Sequence, residues 1–197
     1  MPRYAPDIAL PPYSYIPGHD LPHPVNDPRG HSFGHASQPT PVAPDVLSQL
    51  PTNPASRRRT LAVPFTASSG WLYAVDLFNE GFYWESHEAW ELFWNSLGRT
   101  TPGARFVQGL ILLAAASVKI REGKPAGVAR HAQRARALLI PSLAADEGTF
   151  GTHVGFALDP ESIRTVLAEL DAYSPECWHT SRFPVVKVLT AGLRVAG

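Results

Sequence analysis

The sequence is poor in cysteine and has no excess charge of either sign. Its 197 residues include one cysteine, Cys177, which excludes an internal disulfide and a zinc site built from several thiolates. The 17 Lys and Arg residues are balanced by 17 Asp and Glu residues. Proteins that bind nucleic acids or anionic membranes usually carry a basic excess. We therefore expect neither nucleic acid nor membrane among its partners.

Long hydrophobic runs are also scarce. The longest apolar stretch, residues 106–118, is interrupted by Gln108 and is shorter than the ~20 residues that span a bilayer. The first residues lack the apolar core of a secretory signal peptide. These absences predict a soluble cytoplasmic protein, and they leave its oligomeric state open.

Proline divides the chain into two unlike parts. Fourteen of the 20 prolines lie in residues 1–64, where no helical or strand-like apolar period is found. Proline at this density breaks helices and sheets. The sequence therefore predicts an irregular or disordered arm over residues 1–68 that is dispensable for folding, a helical domain over 69–175 and a C-terminal extension over 176–197. The arm also carries four histidines, interpreted as parts of a solvated tail or as weak metal ligands: His19, His23, His31 and His35.

Residues after 70 follow a helical pattern. Gly81 and Gly123 are typical of helix C-termini, and Pro141 is expected to stop a helix. The fold class is therefore all-α, a small bundle of two successive helical hairpins plus a further C-terminal helix, with a long irregular N-terminal arm. Residues 185–189 are interpreted as helix, with strand as the alternative. The five predicted helices span about 71–79, 83–97, 103–122, 125–139 and 160–173.

The second predicted helix carries a stripe of ionisable side chains. His87 and Glu91 are four residues apart, and Glu88 is three residues from both Glu85 and Glu91. Residues at these spacings are neighbours on a helix surface. Because like charges at this spacing repel, the stripe needs a positive or polar partner.

Such partners are expected on the next two helices. Arg105 and Gln108 lie on one side of the apolar third helix, and buried polar groups must be paired. We therefore expect both to face the glutamates. His131 borders the apolar face of the fourth helix and is expected to join them. The predicted ligand-binding residues are Glu85, His87, Glu88, Glu91, Trp94, Arg105, Gln108 and His131.

Several functions are open for this stripe. It forms a structural polar network between the hairpins, or it lines a pocket for a small polar ligand beside tryptophans. The run from His87 to Glu91 differs by one residue from the HExxH zinc motif, which makes these two residues candidate ligands of a divalent metal. Glu88 and Glu85 are the candidate acid–base residues, with or without metal.

The preferred interpretation is a binding or interaction module for a small polar ligand or a protein partner. The alternative is a hydrolase-like enzyme that uses His87, Glu88 and Glu91. A di-iron carboxylate centre needs Glu-x-x-His on two helices, and the glutamates here are followed by glutamate instead. The cofactor is therefore open, with a divalent metal as one of the alternatives.

The segment from Phe78 to Trp94, together with Arg105 and Gln108-Gly109, resembles the family known as domain of unknown function 309. That family shows an aromatic residue, glycine, tyrosine, Glu-Ala-His-Glu, Leu-Glu and tryptophan, followed by arginine and Gln-Gly. Ser86 stands where alanine is usual. The resemblance covers about residues 71–139 and implies a small all-α fold, but it implies no reaction. The positions shared with the family pattern are Glu85, His87, Glu88, Glu91, Arg105 and Gln108.

Overall fold

Five helices build the fold. The computed structural model describes residues 2–34, 68–97, 100–144, 158–174 and 183–196. Each helix packs against the next along the chain, which confirms the predicted all-α fold. Within the described ranges, the one β element is an isolated antiparallel bridge between Leu158 and Val195. The helices are α1 (Ser69–Asn79), α2 (Tyr83–Ser96), α3 (Pro102–Arg121), α4 (Pro125–Ala144) and α5 (Pro160–Asp171).

Polar side chains define where three of the helices begin. Ser68, Thr101 and Asp159 each accept a hydrogen bond from a backbone N–H of the first turn. These N–H groups have no partner within the helix. Pro102 and Pro160 follow two of these caps at the first helical position, where a missing N–H costs little. The helix starts therefore follow from local sequence.

The turn between α1 and α2 requires glycine. Gly81 has a φ of +88°, a left-handed conformation that side chains with a Cβ rarely adopt. A Cβ at this position would lie 3.0 Å from the carbonyl oxygen of Val186, so the C-terminal segment also passes close by. Gly123, with a φ of +66°, forms the corresponding turn between α3 and α4. Both turns lie where the sequence predicts them.

Helix α3 lies at the centre of the bundle. It is buried on nearly all sides, as its composition predicts. The expectation that its apolar run is too short to span a bilayer does not hold for the whole helix, which is long and apolar enough to do so by length and composition alone. However, 78% of its apolar window is buried inside the protein. Trp90 of α2 is fully buried and packs against Phe78 at a ring distance of 5.7 Å.

The predicted end of α4 at Pro141 is wrong. The helix continues through this proline to Ala144. Proline removes one hydrogen bond of the helix, but it does not prevent the last turn from forming when neighbouring side chains pack. Leu138 and Leu143 both pack against the core on either side of the proline, and the Ser142 hydroxyl donates to the carbonyl of Leu138 at 2.7 Å.

The predicted helix over residues 185–189 is also wrong. This segment is extended without regular structure, and helix side chains pair its backbone. The Tyr83 hydroxyl accepts the N–H groups of Val188 and Leu189 at 3.1 and 3.3 Å. Asn79 donates to the carbonyl of Leu193 at 2.8 Å and accepts its N–H at 2.7 Å. Side chains of α1 and α2 thus replace the hydrogen bonds that a helix would have made for itself.

Residues 2–34, here called the N-terminal segment, are irregular, as predicted for the arm. They form turns and extended stretches that pack on the helices, with Ala5, Tyr13 and Ile16 buried. The arm was predicted to be irregular or disordered, and residues 2–34 follow the first of these two alternatives. Residues 35–67, with His35, and the boundary at 175/176 lie outside the described residues. The division of the chain into domains and the dispensable arm stay predictions.

Candidate functional site

Helix α2 brings together three of the predicted site residues. His87, Glu88 and Glu91, here called the α2 cluster, each offer a ligand atom, and these atoms lie within 4.8 Å of one another. Nε2 of His87 is 3.4 Å from Oε1 of Glu91, one helical turn away. His87 and Glu91 are partly buried, and Glu88 is exposed. The geometry therefore allows the three side chains to contact one small cation.

The surroundings of the α2 cluster shift its pKa values away from the ordinary range. Partial burial lowers the pKa of His87, and the charge of Glu91 only partly opposes this effect. The ring is therefore neutral at pH 7, and a ring nitrogen has a lone pair to offer. The bundle removes part of the hydration of the Glu88 carboxylate, which still contacts solvent, and the charges of Glu91 and Glu85 add to the effect. Together they raise the pKa of Glu88 to about 7.

Glu85 lies apart from the cluster and contacts the N-terminal segment. It is buried, and its Oε1 accepts the backbone N–H of Tyr15 at 2.8 Å. The same oxygen lies 3.3 Å from Nε2 of His31. Its second oxygen, Oε2, is buried and has no hydrogen-bond partner in the described part of the chain. Glu85 therefore holds the N-terminal segment against α2.

His31 is fixed on both sides of its ring. Its Nδ1 lies 3.0 Å from Oγ of Ser32, and the ring of Tyr13 packs edge-on against it at 4.7 Å. The Tyr13 hydroxyl accepts the backbone N–H of His31 and donates to the carbonyl of Pro22. Sequence reasoning did not place this residue beside Glu85, because it interpreted the histidines of the arm as parts of a solvated tail or as weak metal ligands. The nearby tyrosines were a signal for docking, but they did not specify where.

Trp84 connects the α2 cluster to the N-terminal segment. Its ring stacks on His87 at 6.1 Å with an interplanar angle of 9°. On other sides it meets Tyr15 at 5.0 Å and His23 at 6.1 Å, both edge-on. Residues of the arm therefore cover one side of the aromatic ring that supports His87.

Asp76 is a second site residue that sequence reasoning missed. It is 2% exposed, and its two oxygens accept the N–H groups of Tyr4 and Ala5, both at 2.8 Å. Nε of Arg3 lies 3.5 Å from the same carboxylate. The sequence did contain a signal for this site, an acid within the apolar run of α1. Such an acid is expected to be buried, and a buried carboxylate requires hydrogen-bond donors.

The expected pairing of Arg105 and Gln108 with the glutamates is wrong. Arg105 is exposed, and among the described residues it forms no ion pair with Glu85, Glu88 or Glu91. Gln108 is partly buried and forms no hydrogen bond to them in that part of the chain. The physical reason is that the backbone N–H of Tyr15 and the ring of His31 occupy the Glu85 carboxylate instead. Both belong to the N-terminal segment, which has no period that a helical wheel detects.

His131 and Trp94 lie near the site without joining the cluster. His131 is partly buried, and its Nδ1 has no hydrogen-bond partner among the described residues. Burial lowers its pKa, and the charges of Arg130, Lys119, Arg134 and, to a lesser extent, His87 lower it further. The two histidines therefore share one electrostatic environment. Trp94 is partly buried and packs against the core.

Together these features define a small all-α domain with irregular segments packed on its helices and an ionisable cluster on α2. Residues 71–131, about a third of the chain, match the profile of the family described as Domain of unknown function (DUF309), which confirms the predicted resemblance. No curated protein and no solved structure matched the chain. The matched residues contain the α2 cluster, whereas the N-terminal segment lies outside them.

Proposed function

We propose that this protein is a binding module that holds a divalent transition-metal ion on α2. The observation that carries the proposal is that ligand atoms of His87, Glu88 and Glu91 lie within 4.8 Å of one another. An imidazole nitrogen combined with carboxylate oxygens suits ions such as Zn²⁺, Fe²⁺ and Mn²⁺. The spacing of these residues on one helix makes the arrangement local, so it does not depend on distant parts of the chain.

The charge balance of the α2 cluster also favours a cation. The one ion-pair partner of Glu91 among the described residues is His87, which is neutral at pH 7. Glu88 has no ion pair with a described lysine or arginine, and its pKa is raised by partial burial and, to a lesser extent, by the charges of Glu91 and Glu85. A divalent ion would offset this repulsion, because it is the largest local charge in such a site.

Three ligands from one helix leave coordination positions for other groups. Water or a small polar molecule would complete the coordination of the ion. The module would then present a polar ligand or a metal-bound water at the surface of α2. This supports the interpretation of the protein as a binding module for a small polar ligand.

A hydrolase-like enzyme, in which His87 and Glu91 hold the ion and Glu88 stays unbound as the base, is the second candidate and is favoured by one observation. The pKa of Glu88 is about 7, and a general base works best when its pKa lies near the operating pH. Hydrolysis of an activated ester by the metal-loaded protein, lost in Glu88→Gln and kept in Glu161→Gln, would support this candidate.

Calorimetric titration of the chelator-treated full chain with Zn²⁺, and separately with Mn²⁺, tests the metal site. We expect one ion per chain at the α2 cluster, and at least tenfold weaker binding in His87→Ala and in Glu91→Gln. His19→Ala and Glu161→Gln serve as controls, because they remove a histidine and an exposed acid that lie outside the cluster. Equal affinity and stoichiometry in all four variants would refute the site.

A further inference from the structure

The helices hold the N-terminal segment through its backbone. Asp76 of α1 accepts the N–H groups of Tyr4 and Ala5, and Glu85 of α2 accepts the N–H of Tyr15. Both carboxylates are buried. Hydrogen bonds to an ionised acceptor are roughly twice as strong as neutral ones. Because such bonds involve no side chain of the bound segment, they recognise its backbone, which is bent at residues 4 and 5 and irregular at residue 15.

Between these two carboxylates, aromatic and apolar contacts continue along the same face. The Tyr73 hydroxyl donates to the carbonyl of Ala9 at 2.9 Å. Further along, Ile16 is 1% exposed, and Tyr15 packs on Trp84. The order of contacts along the segment, residues 4–5, 9 and 15, follows a path from α1 to α2. The face therefore offers a series of hydrogen-bonding and aromatic side chains to a chain that runs along it.

We propose that the face formed by Tyr73, Asp76, Trp84 and Glu85 is a peptide-binding surface, and that residues 2–34 are its intramolecular ligand. The partner that fits this surface is an irregular proline-rich segment. Proline restricts the backbone in advance of binding, which lowers the entropy lost on docking. It also removes N–H groups that would otherwise need partners, and the prolines of this stretch (Pro2, Pro6, Pro11, Pro12 and Pro17) leave the N–H groups of residues 4, 5 and 15 available.

This proposal is independent of the metal site. The surface uses Asp76 and Glu85, whereas the cation would be held by the α2 cluster. The experiment is therefore done in the presence of a chelator, where metal binding contributes nothing.

The test begins with the full chain and a protease recognition sequence inserted between residues 34 and 68. After cleavage, both pieces should co-elute on size exclusion and keep the helical circular dichroism of the intact chain. A fluorescent synthetic peptide of residues 2–34 should then exchange into the cleaved protein, as followed by anisotropy and by competition with unlabelled peptide. Separation of the pieces without rebinding, or loss of helical structure on cleavage, would overturn the proposal.

Backbone methylation separates recognition of the backbone from recognition of side chains. N-methylation of Ala5 and Tyr15 removes two donors and keeps every side chain, so we expect at least tenfold weaker binding of that peptide. A peptide N-methylated at Asp20, which is exposed, is the matched control and should bind like the parent. Equal binding of all three peptides would contradict the proposed recognition.

Discussion

Replacing Asp76 by alanine removes the acceptor for two buried N–H groups of the N-terminal segment. The carboxylate is 2% exposed and accepts the N–H groups of Tyr4 and Ala5 at 2.8 Å. Each hydrogen bond to a charged group contributes about 1.5–3 kcal/mol. The segment is able to leave the surface and bond to water instead, so the loss is limited to the free energy of docking. We therefore expect Asp76→Ala to lower the free energy of unfolding by about 3 kcal/mol.

Asp76→Asn is the finer variant because it keeps the shape of the side chain. Its carbonyl oxygen still accepts one N–H, whereas its amide NH₂ opposes the other, so we expect a loss of about 2 kcal/mol. Glu80→Ala is the matched control on the same helix end. Its ion pair with Lys187 spans 3.9 Å and is partly solvated, so the change should stay within about 0.5 kcal/mol.

Urea denaturation followed by circular dichroism at pH 7 measures these differences, and hydrogen exchange of the Tyr4 and Ala5 amides reports on docking. We expect both amides to lose protection in Asp76→Ala while the amides of α3 keep it. A free energy of unfolding within 0.5 kcal/mol of the parent, with both amides still protected, would show that this carboxylate does not hold the segment.

Four further outcomes are expected. The pKa of Glu88 rises from 4.5 to about 7 on folding, so the stability that this group contributes at low pH is lost as pH increases through this window. Solvent screening of this exposed group reduces the effect. In chelator, Glu88→Gln should therefore add about 1 kcal/mol to the free energy of unfolding at pH 8 and nothing at pH 4, as measured by urea denaturation. Arg105→Ala should change the unfolding free energy by less than about 0.5 kcal/mol, whereas a buried pair would lose about 3 kcal/mol. Gly81→Ala should destabilise more than Gly18→Ala in thermal melts, since both have positive φ but only the former meets a neighbouring carbonyl. A divalent ion at a hundredfold excess over its Kd should stabilise the parent by about 2.7 kcal/mol and leave His87→Ala unchanged.

Local sequence was sufficient to predict the helices, because their ends depend on nearby residues. Caps such as Thr101 and turns such as Gly81 act within one helical turn, so most boundaries lie within about two residues of the prediction. Pro141 was misread because packing of neighbouring leucines outweighed one missing hydrogen bond. The 185–189 segment was misread because the Tyr83 hydroxyl of α2, far away in sequence, accepts the backbone N–H groups of Val188 and Leu189.

The candidate site was predictable only as far as one helix extends. The positions of His87, Glu88 and Glu91 follow from helical periodicity, and the 3.4 Å contact between the first and last of them agrees with it. The donors to Glu85 come from residues about 55 to 70 positions earlier, in a segment without a period. No pattern in the sequence indicates where such a segment lies, so helical periodicity predicted Arg105 as a partner of the glutamates instead.

Burial separates the acids of α1 and α2 into two groups that the sequence does not distinguish. Asp76 and Glu85 are buried, and a buried charge is tolerated only when donors surround it, so the N-terminal segment must pair with them. Glu88 and Glu91 keep contact with solvent and have no lysine or arginine partner among the described residues, where the ion-pair contact of Glu91 is with His87. Trp84 lies between the two groups and contacts both the segment and His87. The buried acids thus bind the chain to itself, and the solvent-exposed acids are the ones available to a ligand from outside.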